Sequence, residues 1–174
     1  MLSFLPNFHF ESVTDVDIEF LQKYAVKAVL LDIDNTLSPH GAIMPYDGVC
    51  EWLNNLKNSG IKTAIISNNK EKRVQLFAEN LKIKYYIANA KKPFKSGFIL
   101  AKEMLGVDKK NILVIGDQIF TDILGANLAE IKSVLVEPKD KNEPFSIKLK
   151  RIFEFPLRFM SKITCKKKGK GRNI

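Results

Sequence analysis

The sequence predicts an α/β fold in three layers: a Rossmann-like parallel sheet covered by helices on both faces. Five short runs rich in β-branched residues recur between residues 28 and 136, and the segments between them carry apolar residues at helical spacing. Strands that alternate with helices favour a parallel sheet, because each connection must cross the sheet before the next strand begins. A chain of 174 residues with 45% apolar residues is long enough for about one such domain.

The predicted elements follow one another in regular order. Five runs are predicted to be strands: 28–33, 61–66, 84–88, 111–116 and 131–136. Between the first two, apolar residues recur at i, i+3, i+4 and i+7 from Val49 and end before Gly60, as in an amphipathic helix. A second helix is predicted with Asn69 as its cap, a third from Pro93, and a fourth over about 119–129.

Two further segments flank this core, which spans residues 28–138. Residues 1–27 form a lead that is expected to pack on the core and to contain one short acidic helix. Residues 139–174 form a C-terminal extension that is both basic and rich in apolar residues. Three prolines in or just before the extension are expected to interrupt any long helix: Pro138, Pro144 and Pro156.

The net charge of +9 is concentrated in the extension. Residues 139–174 contain 12 Lys/Arg and 3 Asp/Glu, whereas residues 1–138 contain equal numbers of basic and acidic side chains. A segregated basic segment of this kind favours contact with an anionic surface, either lipid or nucleic acid.

Targeting and cysteine patterns favour the cytoplasm. No stretch approaches the ~20 apolar residues of a membrane-spanning helix, and the first residues lack the basic start of a secretory leader. Two isolated cysteines, Cys50 and Cys165, form neither a disulfide framework nor a metal-binding pair, which suits a reducing compartment. We therefore expect a cytoplasmic protein, which the basic extension could hold at the inner face of the membrane.

The first predicted strand ends in two aspartates. In a strand, residues i and i+2 point the same way, so Asp32 and Asp34 both project from its carboxyl end, where open α/β sheets bind ligands. Two adjacent carboxylates repel each other unless a cation or a proton compensates, and Mg²⁺ takes oxygen ligands from carboxylates and phosphate. Taken alone, the motif fits a solvated strand end and a turn equally well.

The next two strands end in residues suited to phosphate. Ser67 and Asn68 lie where the second strand meets a helix, so a hydroxyl and free N–H groups could cradle an anion there. An ordinary helix cap is the simpler interpretation of that site alone. Lys92 follows the third strand and precedes a proline, which places an ammonium near the same edge, although in isolation it would be a surface lysine.

The fourth strand ends in a glycine and two aspartates. Gly116 permits a close approach of the backbone, Asp117 lies at the strand end, and Asp122 follows about one helical turn later. Such a pair of aspartates is costly without a cation or a lysine partner. The four motifs together indicate a functional site, because they occupy the ends of four consecutive strands.

Together these motifs resemble those of the haloacid dehalogenase (HAD) superfamily. The matching residues are Asp32, Asp34, Thr36, Ser67, Lys92, Gly116, Asp117 and Asp122. More narrowly, 32-DIDNTL, 67-SNN, 92-KPF and 116-GDQIFTD resemble the subclass IIIA phosphatases of the YqeG type, a group related to the mitochondrial phosphatidylglycerophosphate phosphatase of eukaryotes. The resemblance covers about residues 10–138, and all four motifs are intact.

The resemblance implies a Mg²⁺-dependent phosphatase that forms an aspartyl-phosphate. Asp32 would be the nucleophile, and Asp34 would be the general acid and then the general base. Mg²⁺ would be bound by the Asp32 side chain, the Asp34 backbone carbonyl and Asp117. Asp122 would support the metal through water or orient the catalytic lysine.

The resemblance also implies how the phosphoryl group is held. Ser67, the neighbouring backbone at Asn68, and Lys92 would bind its oxygens, with Ser67 and Lys92 counted among the catalytic residues. Thr36 would fix the turn after the first strand, and Gly116 would support the approach of the last motif.

The spacing of the motifs bears on the substrate. HAD phosphatases usually gate the site with a cap domain inserted at one of two points, but only 32 residues separate Asp34 from Ser67, and fewer separate Asn68 from Lys92. We therefore expect no cap domain. An open site suits a phosphate presented by a large substrate, such as a lipid in a bilayer, a protein or a nucleic-acid end.

The extension favours a lipid. Over residues 145–172, apolar and basic residues interleave, as in an interfacial membrane segment. Part of the apolar set could instead pack on the sheet, and a basic tail could equally bind RNA. The predicted substrate is an anionic phospholipid, phosphatidylglycerophosphate. The alternatives are a phosphatase acting on a protein, a nucleic-acid end or a soluble metabolite, and a non-enzymatic RNA or ribosome adaptor.

Overall fold

The computed structural model describes residues 3–140 and 143–167. Within these ranges the strands are Phe8–Phe10 (β1), Ala28–Leu31 (β2), Lys62–Ile66 (β3), Tyr85–Ile87 (β4), Ile112–Gly116 (β5) and Lys132–Val136 (β6). They form one parallel sheet in the order β1–β6–β5–β2–β3–β4. The predicted parallel sheet is confirmed.

Helices cover both faces of this sheet. In the described residues they are Ile18–Lys23 (α1), Val49–Asn58 (α2), Glu71–Asn80 (α3), Lys95–Leu105 (α4), Leu124–Leu128 (α5) and Phe145–Lys167 (α6). Helices α1, α2 and α3 pack with Val29 and Leu31 on one face, whereas α4 and α5 pack with Leu30 on the other. This alternation along a strand follows from its two-residue repeat and confirms the three-layer fold.

The strand register brings the sequence motifs to one edge of the sheet. Leu31 pairs with Ile65 on one side and with Ile115 on the other. The residues that follow these three positions therefore emerge together at the carboxyl edge, where the central strand β2 lies between β3 and β5. Open α/β sheets bind their ligands at such an edge.

The lead contributes a strand that the sequence did not predict. β1 pairs with β6, more than 120 residues away. Phe8 and Phe10 lie on one face and contact the ring of Phe20 in α1 edge to face, with ring centroids 4.9 and 5.0 Å apart. A three-residue strand has too little local pattern to be recognised, because its pairing partner is distant in sequence. The predicted short helix of the lead is present as α1.

The expectation that prolines would interrupt the extension is wrong for Pro156. Helix α6 runs through this residue for 23 residues. Proline removes one helical N–H and crowds the preceding turn, but the side chains on both sides of it are anchored to the core, so tertiary contacts outweigh the local cost. Pro144 instead precedes the helix, and its carbonyl accepts hydrogen bonds from the N–H groups of Ile147 and Lys148 at 2.9 and 3.0 Å.

Two helix starts differ from the prediction. The N-cap of α3 is Lys70, not Asn69. The side chain of Asn69 instead donates hydrogen bonds to Asp34 and Ser67. Helix α4 begins at Lys95, two residues after Pro93. Among the residues that the structure describes, no helix is long and apolar enough to span a bilayer.

Candidate active site

A buried lysine lies at the centre of the carboxyl edge. Lys92 Nζ donates hydrogen bonds to Asp32 Oδ1 at 2.5 Å, to Asp122 Oδ1 at 2.6 Å and to the carbonyl of Ile66 at 2.9 Å. Burial alone would lower the pKa of Lys92, but the charges of Asp122 and Asp32 outweigh it and raise that pKa. The lysine therefore stays cationic and fixes the two carboxylates relative to each other.

Three aspartates at this edge form a buried cluster. Carboxylate oxygens of Asp32, Asp117 and Asp122 lie within 4.8 Å of one another. Burial raises the pKa of Asp32 to about 7 against the opposing charge of Lys92, and burial likewise holds the pKa of Asp117 well above its usual range. Both shifts mean that burial disfavours the ionised form of these carboxyl groups.

An unsatisfied oxygen indicates where further positive charge would fit. Asp117 is fully buried, and within residues 3–140 and 143–167 its Oδ1 atom has no hydrogen-bond partner. A buried oxygen without a partner is costly, and a hard divalent cation takes oxygen ligands of this kind. The donor set, carboxylates only, fits Mg²⁺ or Mn²⁺. The residues present therefore fit a divalent cation.

Gly116 makes room for this cluster. A Cβ atom at Gly116 would lie 2.4 Å from Cγ of Asp122, a distance at which the two atoms overlap. The turn that follows is π-helical, Ile119–Ile123, and the N–H of Gln118 donates to Asp122 Oδ2 at 3.1 Å. The glycine in the predicted motif is thus needed for close approach to Asp122.

The side chain of Asp34 is not part of the three-aspartate cluster and is tied to a second cation, Arg73. Arg73 donates to both of its oxygens, at 3.1 and 2.6 Å, Asn69 Nδ2 donates at 2.7 Å and the N–H of Gly41 at 2.9 Å. Burial would raise the pKa of Asp34, but the hydrogen bonds from Arg73 and Asn69 outweigh it and lower that pKa. Asp34 is therefore ionised, and its carboxylate is held beside residue Gly41 of the loop 35–45, which we call the flap.

The other predicted residues lie at the same edge with mixed contacts. Ser67 is buried, and its Oγ accepts hydrogen bonds from Asn69 N at 3.2 Å and Asn69 Nδ2 at 3.0 Å. The side-chain amide of Asn68 bonds to the main chain of Lys92, with Lys92 N to Asn68 Oδ1 at 2.7 Å, so it positions the lysine. Thr36 lies buried in the turn after β2. Phosphate binding by Ser67 and Asn68 stays a prediction.

Helix α6 also reaches the cluster, which sequence reasoning missed. Arg151 donates through Nη2 to Asp117 Oδ2 and through Nη1 to the Asp117 carbonyl at 2.8 Å. Arg158 Nη2 donates to the same carbonyl. Glu154 Oε1 accepts hydrogen bonds from the N–H groups of Ile119 at 2.8 Å and Phe120 at 3.2 Å. The extension is therefore part of this site.

A sequence signal for the missed residues exists. Arg151, Glu154 and Arg158 fall at i, i+3 and i+7, which places them on one helical face within an otherwise apolar stretch. Composition alone shows the two arginines only as part of the basic excess of the extension. Arg73 lies four residues after Asn69, and both contact Asp34. The three charged residues of α6 and the Asn69–Arg73 pair could have been identified only from their spacing, once the position of the helix was known.

The site is closed on one side by a loop and by the start of the extension. In the flap, Asn35 Nδ2 donates to Glu143 Oε1 at 2.6 Å, and the N–H of His40 donates to Asp140 Oδ2 at 3.2 Å. The connection from β2 to β3 holds only this flap and α2, and that from β3 to β4 holds only α3. No inserted domain covers the described part of the chain at either point.

Comparison with known proteins identifies the family. A family model for haloacid dehalogenase-like hydrolases matches residues 14–130. A protein of Bacillus subtilis strain 168 described as the probable phosphatase YqeG is 35% identical over 151 residues, which cover 87% of each chain.

Solved structures show the same fold. An uncharacterized protein from Listeria monocytogenes serotype 4b aligns over 68% of this chain and 85% of its own, with a TM-score of 0.55 and 22% identity. A HAD-superfamily hydrolase from Ehrlichia chaffeensis aligns over 62% of this chain and 90% of its own, with a TM-score of 0.52 and 19% identity. The family model and the Bacillus relative show that the chain belongs to the haloacid dehalogenase-like hydrolases, in the YqeG group, and, with the acidic cluster at the strand ends, that it is a metal-dependent phosphatase.

Proposed function

We propose that this phosphatase uses Mg²⁺ and an aspartyl-phosphate at Asp32 to remove the terminal phosphate of phosphatidylglycerophosphate at a membrane surface. The observation that supports the chemistry best is the position of Asp32, which accepts a hydrogen bond from the ammonium of Lys92 and lies in one cluster with the carboxylates of Asp117 and Asp122. Phosphoryl transfer mainly needs such positioning and charge neutralisation.

The proposed reaction has two steps. Asp32 Oδ1 is bound by Lys92, so Oδ2 attacks the phosphorus, and the bond to the leaving alkoxide breaks while Asp34 protonates that oxygen. Water then attacks the phosphorus of the aspartyl-phosphate and gives a proton to Asp34. The bond between phosphorus and Asp32 Oδ2 breaks, which releases phosphate and restores the Asp32 carboxylate. Lys92 and Ser67 hold the phosphoryl oxygens. Bound Mg²⁺ supplies the charge that lets an anionic nucleophile approach an anionic phosphate.

Arg73 bears on both of these steps. Its two hydrogen bonds lower the pKa of Asp34, which favours the base that accepts a proton from water. Before Asp34 can donate a proton to the leaving group, it must first gain one, and we propose that substrate binding weakens its contact with Arg73.

Exposed apolar side chains near the site support a lipid substrate. Ile43 and Met44 on the flap are 54% and 71% exposed, and Phe94, two residues after Lys92, is 68% exposed. All three belong to loops at the carboxyl edge of the sheet. Single exposed apolar residues are common, but a group of them around a catalytic opening is typical of an interaction site.

Helix α6 carries a second set of exposed apolar side chains. We call its exposed side chains the outer face of α6: Phe145, Leu149, Ile152, Phe153, Phe155, Phe159, Met160 and Ile163. Exposed lysines at positions 148 and 150 lie on the same helix, and each basic residue near an anionic leaflet adds about 1 kcal/mol to binding. The basic run at 168–172, which the sequence predicts to reach the membrane, lies outside the described residues.

Phosphate release tests the substrate. Phosphatidylglycerophosphate in mixed micelles would be assayed with and without Mg²⁺, beside a panel of soluble phosphomonoesters, phosphopeptides and 3′-phosphorylated oligonucleotides, with Asp32→Asn as the blank. Turnover that requires Mg²⁺, favours the lipid and is lost in Asp32→Asn is expected. Turnover only on the soluble panel would keep the mechanism and reject the lipid, and no turnover on any substrate would favour the RNA-adaptor alternative.

Vesicle binding tests the membrane contact separately. Met44→Ser and Phe155→Ser should weaken sedimentation with anionic vesicles several-fold and lower activity on the lipid but not on a soluble ester. Met104→Ser is the matched control, because Met104 is also exposed but lies at the end of α4, where Leu105 contacts Lys62 at the amino edge of the sheet. Equal binding by all three variants would reject the surface.

A further inference from the structure

The loop after β5 is held by a helix that lies outside the part of the chain matched by the family model. The contacts come from three charged side chains on the inward side of α6, which we call the α6 clamp: Arg151, Glu154 and Arg158. Glu154 is completely buried, and Arg158 is 9% exposed. Buried charges of this kind are costly and are retained where they serve a purpose other than stability.

The clamp fixes both polar ends of Asp117. Arg151 binds the carboxylate through Oδ2 and the main-chain carbonyl, and Arg158 binds that carbonyl a second time. A planar guanidinium is suited to such a two-point contact, because its donors form a rigid fork. With Oδ2 and the carbonyl held, neither the loop nor the carboxylate is free to turn.

One carboxylate oxygen of Asp117 remains without a protein partner. Asp117 Oδ1 is buried and without a hydrogen-bond partner among the described residues, and a carboxylate oxygen of Asp117 lies within 4.8 Å of one each from Asp32 and Asp122. Because Arg151 holds Oδ2, Oδ1 is the oxygen left to bind a cation. The contact with Arg151 therefore selects which oxygen is offered to a cation.

The other two members of the clamp hold Arg151 and the loop. Glu154 Oε2 accepts hydrogen bonds from Arg151 at 3.2 Å and from Arg158 at 3.3 Å, while its Oε1 binds the N–H groups of Ile119 and Phe120. One carboxylate thus joins both arginines to the backbone that follows Asp117. The loop and the helix move as one unit.

We propose that Arg151 is a positioning residue of the divalent-cation site, and that α6 sets the affinity of this site through the clamp. The proposal concerns the cation site and not the identity of the substrate, so it stands or falls independently of the lipid. Side chains that orient a metal ligand typically contribute about 10- to 100-fold to metal affinity.

Cation binding to the purified full chain tests the proposal directly. Mg²⁺ affinity would be measured by calorimetry and Mn²⁺ affinity from the free-Mn²⁺ signal in electron paramagnetic resonance, for Arg151→Ala, Arg151→Lys and the control Lys150→Ala. Lys150 is an exposed cation beside Arg151 on the same helix. We expect Arg151→Ala to lower the affinity for both cations at least about 10-fold. Lys150→Ala should leave both affinities unchanged.

The lysine variant separates positioning from charge. Lysine keeps the positive charge but lacks the fork that reaches Oδ2 and the carbonyl together, so we expect Arg151→Lys to stay closer to the alanine variant than to the wild type. Full recovery by lysine would show a purely electrostatic effect and overturn the positioning role. Unchanged or tighter binding in Arg151→Ala would also overturn it, because Arg151 would then be a bystander or a competitor of the cation.

Hydrogen exchange gives a second, independent measurement. Because cation binding and closure of the clamp must stabilise each other reciprocally, Mg²⁺ should slow exchange at the N–H groups of Ile119 and Phe120 in the wild type. Glu154→Gln keeps an acceptor for these groups but weakens the pairing with both arginines, so it serves if Arg151→Ala does not fold. Glu154→Gln should lower the affinity for Mg²⁺ several-fold, and wild-type affinity in that variant would contradict the proposal.

Discussion

The catalytic core and helix α6 distribute their side chains in opposite ways. In the core, large apolar residues such as Leu30 and Phe98 are buried between the sheet and its helices, and the buried charges are confined to the carboxyl edge. In α6, the buried side is formed mainly by Arg151, Glu154, Arg158 and Ser161, whereas its phenylalanines lie on the outer face. The helix is amphipathic with its polar side inward.

This difference separates stability from function. Burial of apolar surface is the main stabilising term of a core, so the core explains why the chain folds. Buried charges are costly, and exposed phenylalanines contribute little to folding. Both features of α6 fit our proposals that one side of the helix orients the cation site and the other contacts a membrane.

The largest expected effect is on turnover, when the carboxylate of Asp32 at the carboxyl edge of the sheet is neutralised. Asp32→Asn removes the proposed nucleophile and should lower turnover by at least about 10³-fold. The free energy of unfolding should not fall, because Asp32 is a buried acid with a raised pKa and Lys92 keeps Asp122 as a partner. Initial rates and urea unfolding measure the two quantities. Asp108→Asn, which changes an exposed acid before β5, is the control. Wild-type turnover in Asp32→Asn would show that the reaction does not take place at this edge of the sheet.

The next effect compares a core phenylalanine with one on the outer face. Phe98→Ala should lower the free energy of unfolding by about 3–5 kcal/mol, because a fully buried ring is removed. Phe155→Ala, at a residue that is 71% exposed, should change it by less than about 0.5 kcal/mol. Chemical denaturation of both variants measures the difference. A comparable loss in Phe155→Ala would mean that the outer face packs against protein, and the comparison would then fail.

A smaller effect is expected at the proline within α6. Pro156→Ala restores a helical N–H and removes a steric clash, and we expect the free energy of unfolding to rise by about 1–2 kcal/mol. The helix tolerates proline because His9 and Glu137 hold its second half through Ser161 and Lys162. Urea unfolding measures the change. A lower stability would show that the proline sets the path of the helix between its two anchors.

The smallest expected effect is a loss of free energy of unfolding at low pH. Burial alone would raise the pKa of Glu137, but hydrogen bonds from His9 and Lys162 outweigh it and lower that pKa from 4.5 to about 2. The stabilisation is therefore fully present above pH 4.5 and is lost as the pH falls toward 2. Because Glu137 is partly exposed, we expect a loss of only about 1 kcal/mol. Unfolding at pH 5, 4 and 3 should show a steeper decline in the wild type than in Glu137→Gln, and parallel curves would remove Glu137 from the attachment of α6.

Much of the catalytic core was predictable from local pattern. Strands β2 to β6 are short, buried and β-branched, and the site residues occupy fixed positions at their ends, so two-residue and helical periodicities were sufficient to place Asp32, Lys92 and Asp117 at one edge. The sequence missed β1 because its three residues gain their meaning from a partner strand that is distant along the chain. It also missed Arg73, since a single arginine on a helix carries no signal until the helix is oriented.

The extension shows the opposite case. The sequence alone determined its charge, its apolar content and the presence of a cation-binding motif upstream, because composition and spacing are properties of the chain itself. Only the tertiary structure decided that α6 continues through Pro156, that its charged face turns inward and that Arg151 reaches Asp117. The physical reason is that helix propensity is worth only about 1 kcal/mol or less for an ordinary residue, whereas buried contacts with distant residues set both the course of a helix and the direction of its faces.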